Sequence, residues 1–250
     1  MNRLFYFCIM EKKQVKRNLV LAILFFLPVT FLLFLYPAQH HYNPLDVVKG
    51  NVMEVKNLVV GDTTVAFANH ISVLGFAGND PMSKVTALSN VKELVYDKFK
   101  GFKKFQVVIV VPLGAEDRAN ELQKVVSAYE NLEYLHFVFL NDENINALYN
   151  SLGSDLPLDS NLATNTIFII DKDLNQRGRM DDRSDAERGR QASVYGLLGY
   201  NAIEVAELKN KMSEDMRILF TEYRQKRKGT FDAATRRENS LKSDVSNEEN

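Results

Sequence analysis

Few side chains in this sequence could carry out redox or metal chemistry. The chain has one cysteine, Cys8, and four histidines, at positions 40, 41, 70 and 136. A thiolate is the nucleophile of thiol-disulfide exchange, and imidazole is a common metal ligand. Because Cys8 precedes a long apolar segment, the chain beyond that segment contains no cysteine and can perform neither thiol nor disulfide chemistry.

The histidines give little support for a metal site. His70 opens a predicted strand and His136 lies within another, so we expect both to be structural. His40 and His41 are adjacent and follow the apolar segment, and polar residues are common there. A copper-binding site that uses His40, His41 and Met82 is the alternative, since copper accepts imidazole and thioether ligands. A single methionine at a helix start more often packs against the core.

The apolar segment at residues 18–36 predicts a transmembrane signal anchor. Leu19 to Tyr36 carries no charge, and about 18 helical residues at ~1.5 Å each reach ~27 Å, enough to cross a hydrocarbon core. Basic residues precede it and none follows until Lys49. The positive-inside rule then predicts a cytoplasmic segment 1–17 and a main domain on the non-cytoplasmic, periplasmic side.

A cleaved signal peptide is the competing interpretation of the same segment. Cleavage after Ala38 would place Tyr36 at the −3 position, where a small residue is required. An uncleaved, single-pass anchor is therefore favoured. Met10 opens a more typical cytoplasmic start than Met1, and a start there would remove Cys8 from the protein.

The composition predicts one globular domain with appendages. The chain has 250 residues and a net charge of −1, so its overall charge gives no reason to expect a nucleic-acid partner. We predict a tether at residues 37–48, a domain at 49–227, and a disordered polar tail at 228–250.

Within the domain, the hydrophobic pattern alternates between strands and helices. Residues 105–112, FQVVIVVP, form an apolar run that is typical of a central parallel strand. Residues 83–100 carry apolar side chains at helical spacing, at Leu88, Val91, Val95 and Phe99. The predicted order is β-β-α-β-α-β-α-β-β-α, which indicates an α/β, thioredoxin-like fold with a central mixed sheet flanked by helices.

Several stretches together resemble the SCO/SenC family of membrane-anchored, thioredoxin-like proteins. They are the N-terminal anchor, the strand-turn-helix that begins LGFAGNDPMS, the hairpin IFIIDKDLNQRG and the C-terminal helix ending ILFTEY. The resemblance covers roughly residues 52–223. It implies a C-x-x-x-C pair at the start of the first long helix and a histidine before the IFIID strand, which together bind copper and allow dithiol chemistry.

This sequence departs from the family pattern at all three functional positions. The cysteine positions fall on Asn79 and Ser83, and the histidine position falls near Ala163 or Thr164. Neither an amide nor a hydroxyl can form a disulfide, and Cu(I) prefers soft ligands. We predict a degenerate active-site turn at Asn79, Met82 and Ser83, with Ser83 at the N-cap or in the first helical turn alongside Asp80. The resemblance then implies a redox-inactive, non-enzymatic accessory protein in envelope or respiratory-complex assembly.

The densest charge cluster, RGRMDDRSDAERGR at residues 177–190, has mixed sign. A solvated loop is the simplest interpretation. The alternative is a docking loop for a protein partner, with Arg179, Asp181, Asp182 and Arg183 as the candidate contacts. The sequence contains no phosphate-binding loop, nucleophile elbow or H-E-x-x-H motif.

Overall fold

The computed structural model describes residues 3–35, 44–55, 58–60 and 63–229. The chain divides into two compact units, Met1–Tyr42 and Asn43–Asn250, and each is described by itself. His40 and His41, most of the predicted tether and nearly all of the predicted tail lie outside the described residues.

The first unit is a single helix, α1, spanning Arg3–Leu35 with Pro28 inside it. Its segment Lys16–Leu33 is long and apolar enough to cross a membrane. This confirms the predicted spanning helix by length and composition. The cytoplasmic N-terminus and periplasmic domain stay predictions.

The second unit is built on a seven-stranded sheet with a separate two-stranded hairpin. The sheet strands are β1 (Asp46–Lys49), β4 (Ile71–Phe76), β5 (Phe105–Pro112), β6 (Leu135–Leu140), β7 (Thr166–Ile170), β8 (Gln176–Gly178) and β9 (Tyr200–Asn201). The hairpin strands are β2 (Leu58–Val60) and β3 (Thr63–Val65).

The strand order is β1-β8-β7-β4-β5-β6, with β9 paired to β7. Strands β4, β5 and β6 are parallel, whereas β7 is antiparallel to β4 and β8 is antiparallel to β7. A parallel β-α-β unit followed by an antiparallel β-β-α unit is the arrangement expected of a thioredoxin-like fold. The predicted fold class is therefore confirmed.

Helices cover the two faces of the sheet. A 3₁₀ turn (Pro81–Lys84) leads into α2 (Val85–Val91), which continues through a π-helical turn (Lys92–Tyr96) into α3 (Asp97–Phe99). The others are α4 (Glu116–Val126), α5 (Asp142–Asn150), α6 (Asp185–Gly189) and α7 (Ser213–Lys228), the last preceded by a second π-helical turn (Glu207–Met212).

Strand β5 divides the core into two clusters because its side chains alternate between the faces of the sheet. Val107, Ile109 and Val111 pack towards α2 and α7, together with all four predicted helix residues from Leu88 to Phe99. Val108 and Val110 pack on the other face, which α5 and the segment around Phe67 cover. The central strand is buried along its whole length, as its apolar sequence predicts.

The start of the domain differs from the sequence expectation. The predicted tether overlaps β1, because Asp46 pairs with Gly178 and Leu45 is buried, so the domain begins before residue 49. Helix α4 ends at Val126, where Ser127 Oγ donates a hydrogen bond to Gln123 O at 2.6 Å. Tyr129 lies beyond this helix and is fully exposed.

Candidate functional site

The candidate site is the turn that joins β4 to α2, at residues 77–84. It lies at the carboxyl end of the parallel strands, where α/β proteins commonly bind their ligands. Asn79, Asp80 and Ser83 are exposed, Pro81 is buried, and Met82 is half-buried against the core. Pro81 opens the 3₁₀ turn, as its fixed φ favours.

The turn is held against the loop that precedes β7. Asn79 N donates to Asn161 O at 2.9 Å, and Thr164 N donates to Phe76 O at 3.2 Å. Gly78 has φ +69°, and a Cβ atom there would lie 2.3 Å from Asn161 O. Only glycine fits this contact, because it tolerates a positive φ and has no side chain.

The structure thereby places the three sequence-predicted positions side by side. Ala77 forms an antiparallel bridge with Ala163, so Ala163 and Thr164 lie beside the turn that carries Asn79 and Ser83. The layout implied by the family resemblance is thus present in the backbone. None of the four side chains is a thiol or an imidazole.

Ser83 has no arrangement that would activate it. Its Oγ donates to Asp80 O at 2.7 Å, which places it in the first turn, and Asp80 makes no side-chain cap. A serine nucleophile needs a positioned base, whereas a carbonyl that accepts its proton only fixes its rotamer. Of the two predicted roles for Ser83, first turn and N-cap, the structure supports the first.

The charges beside the turn are exposed. Arg118 Nη1 lies 3.7 Å from Asp80 Oδ1, and Lys84 Nζ donates to Asn165 Oδ1 at 2.9 Å. Exposed pairs of this kind contribute little, typically ~0–1 kcal/mol. They shape the polar rim of the turn without creating a strong electrostatic site.

A small cavity lies beneath the turn, between β4 and α2. Its volume is about 30 Å³, and its wall is mostly apolar, including Phe76, Leu88 and Ile167. That volume holds about two water molecules and is too small for an organic substrate. Within the described part of the chain, no group of three or more His, Cys, Asp or Glu residues could hold a metal ion.

His70 and His136 lie at the opposite end of the sheet. His70 is half-buried, with Nδ1 3.1 Å from Ala68 O, and His136 is buried in β6. Burial lowers the pKa of both imidazoles below 6.5. Neither histidine lies near the turn.

The predicted docking loop is the start of an arm, residues 179–197, whose two ends pair as an antiparallel bridge between Arg179 and Leu197. Arg179 binds Asp215 of α7 through two contacts of 2.8 and 2.9 Å, and also lies 3.3 Å from Asp182. Asp182 in turn accepts a hydrogen bond from Lys211. Arg179 and Asp182 therefore attach the arm to its own domain.

The other two predicted docking residues also pair with each other. Arg183 Nη2 lies 2.9 Å from Asp181 Oδ2, and hydrogen bonds from Arg183 lower the pKa of Asp181 to about 2. Ser184 caps α6 through a reciprocal capping box with Glu187. The arm presents a mixed surface to solvent: Met180, Val194 and Tyr195 are 52%, 63% and 46% exposed, and Asp185, Arg188 and Arg190 are exposed as well.

The sequence analysis missed a buried ionic network under the arm. Arg177 is 4% exposed and donates to Asp171 (2.9 Å), to Glu222 (2.6 Å) and to the backbone of Leu45. Burial alone would lower the pKa of Arg177, but Glu222 and Asp171 outweigh it and raise that pKa. In the sequence, Arg177 stands out only as a charged residue within a predicted hairpin strand. Nothing in the sequence identifies Glu222 as its partner.

Solved structures with similar backbones include thioredoxin-like proteins. One is the thioredoxin domain of a thiol-disulfide oxidoreductase from Bacteroides vulgatus (12% identity, TM-score 0.39, 68% of this chain and 98% of that one). Others are a proposed protein disulfide isomerase from Bacteroides thetaiotaomicron (10%, 0.41, 69% and 91%) and a proposed electron transfer protein from Aquifex aeolicus VF5 (11%, 0.42, 70% and 97%).

No family model matches the sequence, and no curated protein matches it. Because the TM-scores lie below 0.5, the thioredoxin-like assignment rests on the strand order and helix placement of the chain itself.

Proposed function

We propose that this chain is a membrane-anchored protein of SCO/SenC type that performs no thiol chemistry and works by contact. Its role would be that of an accessory protein in envelope or respiratory-complex assembly. On this proposal it is not an enzyme, and the domain lies on the non-cytoplasmic side of the membrane.

One observation carries the proposal. The turn keeps its contact with the loop before β7, through the Asn79–Asn161 hydrogen bond and the Ala77–Ala163 bridge, although its functional positions hold no sulfur or imidazole. A glycine that only this contact requires, Gly78, is retained. A turn that has this shape but lacks reactive side chains is better suited to binding a partner than to catalysis.

The arm supplies the contact surface in this proposal. Arg179, Asp181, Asp182 and Arg183 are paired within the domain, so the exposed Met180, Val194 and Tyr195 are the candidate contacts for a partner. Apolar and aromatic side chains in a rigid frame are the usual energetic centre of a protein interface.

The absence of thiol chemistry can be tested by restoring it. In a Cys8→Ser background, the Asn79→Cys/Ser83→Cys variant should form a reversible disulfide and reduce insulin, whereas the parent should be inactive. The Ser83→Cys single variant is the matched control, since one thiol cannot form the internal disulfide. Oxidoreductase activity in the cysteine-free parent would contradict the proposal.

Copper binding is tested separately with the full-length chain in detergent. Titration with Cu(I) and Cu(II), read by mass spectrometry, should show no stoichiometric binding. Tight one-to-one binding that disappears in His40→Ala/His41→Ala would instead establish a copper-binding protein.

The contact role is tested in cells that lack the chain. Complementation with Met180→Asp/Val194→Asp should leave membrane complexes incompletely assembled on native gels, at unchanged levels of the variant. Complementation with Asn79→Ala/Ser83→Ala should restore assembly. The reverse result would move the contact surface from the arm to the turn.

A further inference from the structure

A cationic patch lies at the end of the sheet opposite the candidate site. It comprises Lys104, Lys172 and Arg227, with His70 between Lys104 and Lys172, and Lys103 precedes Lys104 in the chain. The patch is local, because the net charge of the whole chain is −1.

Backbone pairing fixes the row at the middle of this patch. Asn69 N donates to Lys172 O at 3.0 Å, and Ile71 N donates to Lys104 O at 2.8 Å. Lys172 follows β7, His70 precedes β4 and Lys104 precedes β5, and these three strands are neighbours. At a strand spacing of about 4.8 Å, the row extends for about 10 Å.

Arg227, in the last turn of α7, extends the patch beyond this row. Lys172 Nζ lies 5.1 Å from the centre of the Tyr223 ring, one helical turn before Arg227. Arg227 and Lys104 both act on Lys172 by charge repulsion, and with burial they lower its pKa. The same Lys104 and Lys172 help burial to lower the pKa of His70.

The cations of the patch lack carboxylate partners. Within the described residues, Lys103, Lys104, Lys172 and Arg227 take part in no ion pair within 4.0 Å. Lys104 also adopts φ +69°, a conformation that usually favours glycine or asparagine.

The nearest acids make their hydrogen bonds outside the patch. Asp173 Oδ2 accepts a hydrogen bond from Tyr223 at 2.8 Å, while its charge also acts on Lys172 and opposes the lowering of that pKa. Glu54 accepts from the backbone amides of Phe67 and Ala68 at 2.6 and 2.8 Å. His136, the other titratable neighbour of His70, adds no negative charge.

We propose that this patch binds the acidic segment at residues 244–249 of the same chain. The segment carries Asp244, Glu248 and Glu249 and contains no lysine or arginine. Its three carboxylates complement the unpaired cations of the patch.

The path of the chain favours this occupant over an external one. Helix α7 ends at Lys228, directly after Arg227, so the chain leaves the domain at the patch. Fourteen residues lie between Gly229 and Asp244, and the fifteen Cα-to-Cα steps can extend up to about 50 Å, several times the length of the row. Attachment to the same chain raises the effective concentration of the segment to about the millimolar range.

The imidazole of His70 provides a direct readout in the full-length protein. The chain has only four histidines, so ¹³C-histidine NMR can follow each pKa. Nearby carboxylates raise the pKa of an imidazole, so neutralising them in Asp244→Asn/Glu248→Gln/Glu249→Gln should lower the pKa of His70 by about 0.3–0.5 pH unit at low salt. The matched control is Asp232→Asn/Glu238→Gln, which neutralises acids outside the segment and should leave it unchanged.

Two further measurements decide the outcome. Lys104→Gln/Lys172→Gln should abolish the difference between the parent and the neutralised segment, as should ~0.5 M salt. Inorganic tripolyphosphate should bind the neutralised variant at least about threefold more tightly than the parent. A His70 pKa that is identical in both chains, or equal tripolyphosphate affinity, would overturn the proposal and leave the patch open to external anions.

Discussion

The turn at residues 77–84 and the ionic network beneath the arm use polar groups in opposite ways. Around the turn, Asn79, Asp80 and Ser83 are exposed and their contacts are mostly with backbone. In the network, Arg177 and Glu222 are about 95% buried and every charge has a partner. The turn is held mainly by backbone contacts, whereas the network depends on buried, paired charges.

The comparison shows that an unusual polar residue can have one of two roles, depending on whether it is buried or exposed. A buried charge must be paired or it destabilises the fold. The network is therefore primarily a structural element that joins β8 to α7. Exposed polar residues in a rigid turn cost little to keep or to change. Side chains at the turn can therefore be substituted without loss of the fold.

Arg177→Met should give the largest effect. It leaves Asp171 and Glu222 buried without their cation, and breaking such a pair costs ~3–5 kcal/mol. Urea denaturation of the full-length chain would measure this loss. Arg183→Met is the control and should cost much less, because its pair with Asp181 is partly exposed. Equal losses of stability in the two variants would mean that the buried network stabilises the fold no more than the partly exposed pair does.

Gly78→Ala should cost less than Arg177→Met and more than its own control. A left-handed alanine costs ~1–2 kcal/mol, and here its Cβ would also meet Asn161 O. Gly229→Ala tests the conformation alone, since Gly229 has φ +67° and nothing lies within 4 Å of its Cβ position. Thermal unfolding of the two variants separates strain from contact. If both lose the same stability, the turn is not held by the loop before β7.

Asn79→Ala/Ser83→Ala should change the free energy of unfolding by no more than ~0.5 kcal/mol, because both side chains are exposed. Differential scanning calorimetry gives the measurement, and Ser213→Ala is a buried comparison within α7. A large loss at the turn would show that its side chains stabilise the fold.

The smallest effect concerns pH, since neither region contains a histidine. Burial lowers the pKa of His70 and His136 below 6.5. Between each lowered pKa and 6.5, the unfolded chain therefore binds more protons than the folded chain. The free energy of unfolding should therefore be at its full value above pH 6.5 and fall as pH decreases through the folded pKa. His70→Gln should reduce that slope in urea titrations between pH 7 and 5. An unchanged slope would mean that, of these two histidines, His136 alone accounts for the pH dependence.

The strands and central helices could be predicted because their signal is local. Leu88, Val91, Val95 and Phe99 lie at helical spacing, and the run from Phe105 to Pro112 is apolar throughout. Strand β1 was missed because its four residues follow a polar, proline-containing stretch, and they become a strand only by pairing with β8. Helix α6 and β9 are likewise too short to leave a periodic pattern.

The site could be located from sequence but its surroundings could not. The turn sequence itself marks Asn79 and Ser83. The partners of Arg179 and Arg177 lie 36 and 45 residues further along the chain. From a single sequence, charges that pair within the domain cannot be distinguished from charges on a solvated loop. The docking prediction therefore selected residues that pair within the domain.

The two π-helical turns, at Lys92–Tyr96 and Glu207–Met212, bear on how this chain tolerates changes of length. Each accommodates one residue more than an α-helical turn does. Removing one residue from either turn would let the helix close as a regular α-helix, and the residues on both sides, Met216 and Leu219 among them, would keep the faces they now present. The first turn packs against the second, and just beyond them Lys98 Nζ lies 3.0 Å from Ser213 Oγ. A one-residue deletion in either turn is therefore expected to leave the packing of the two helices in place.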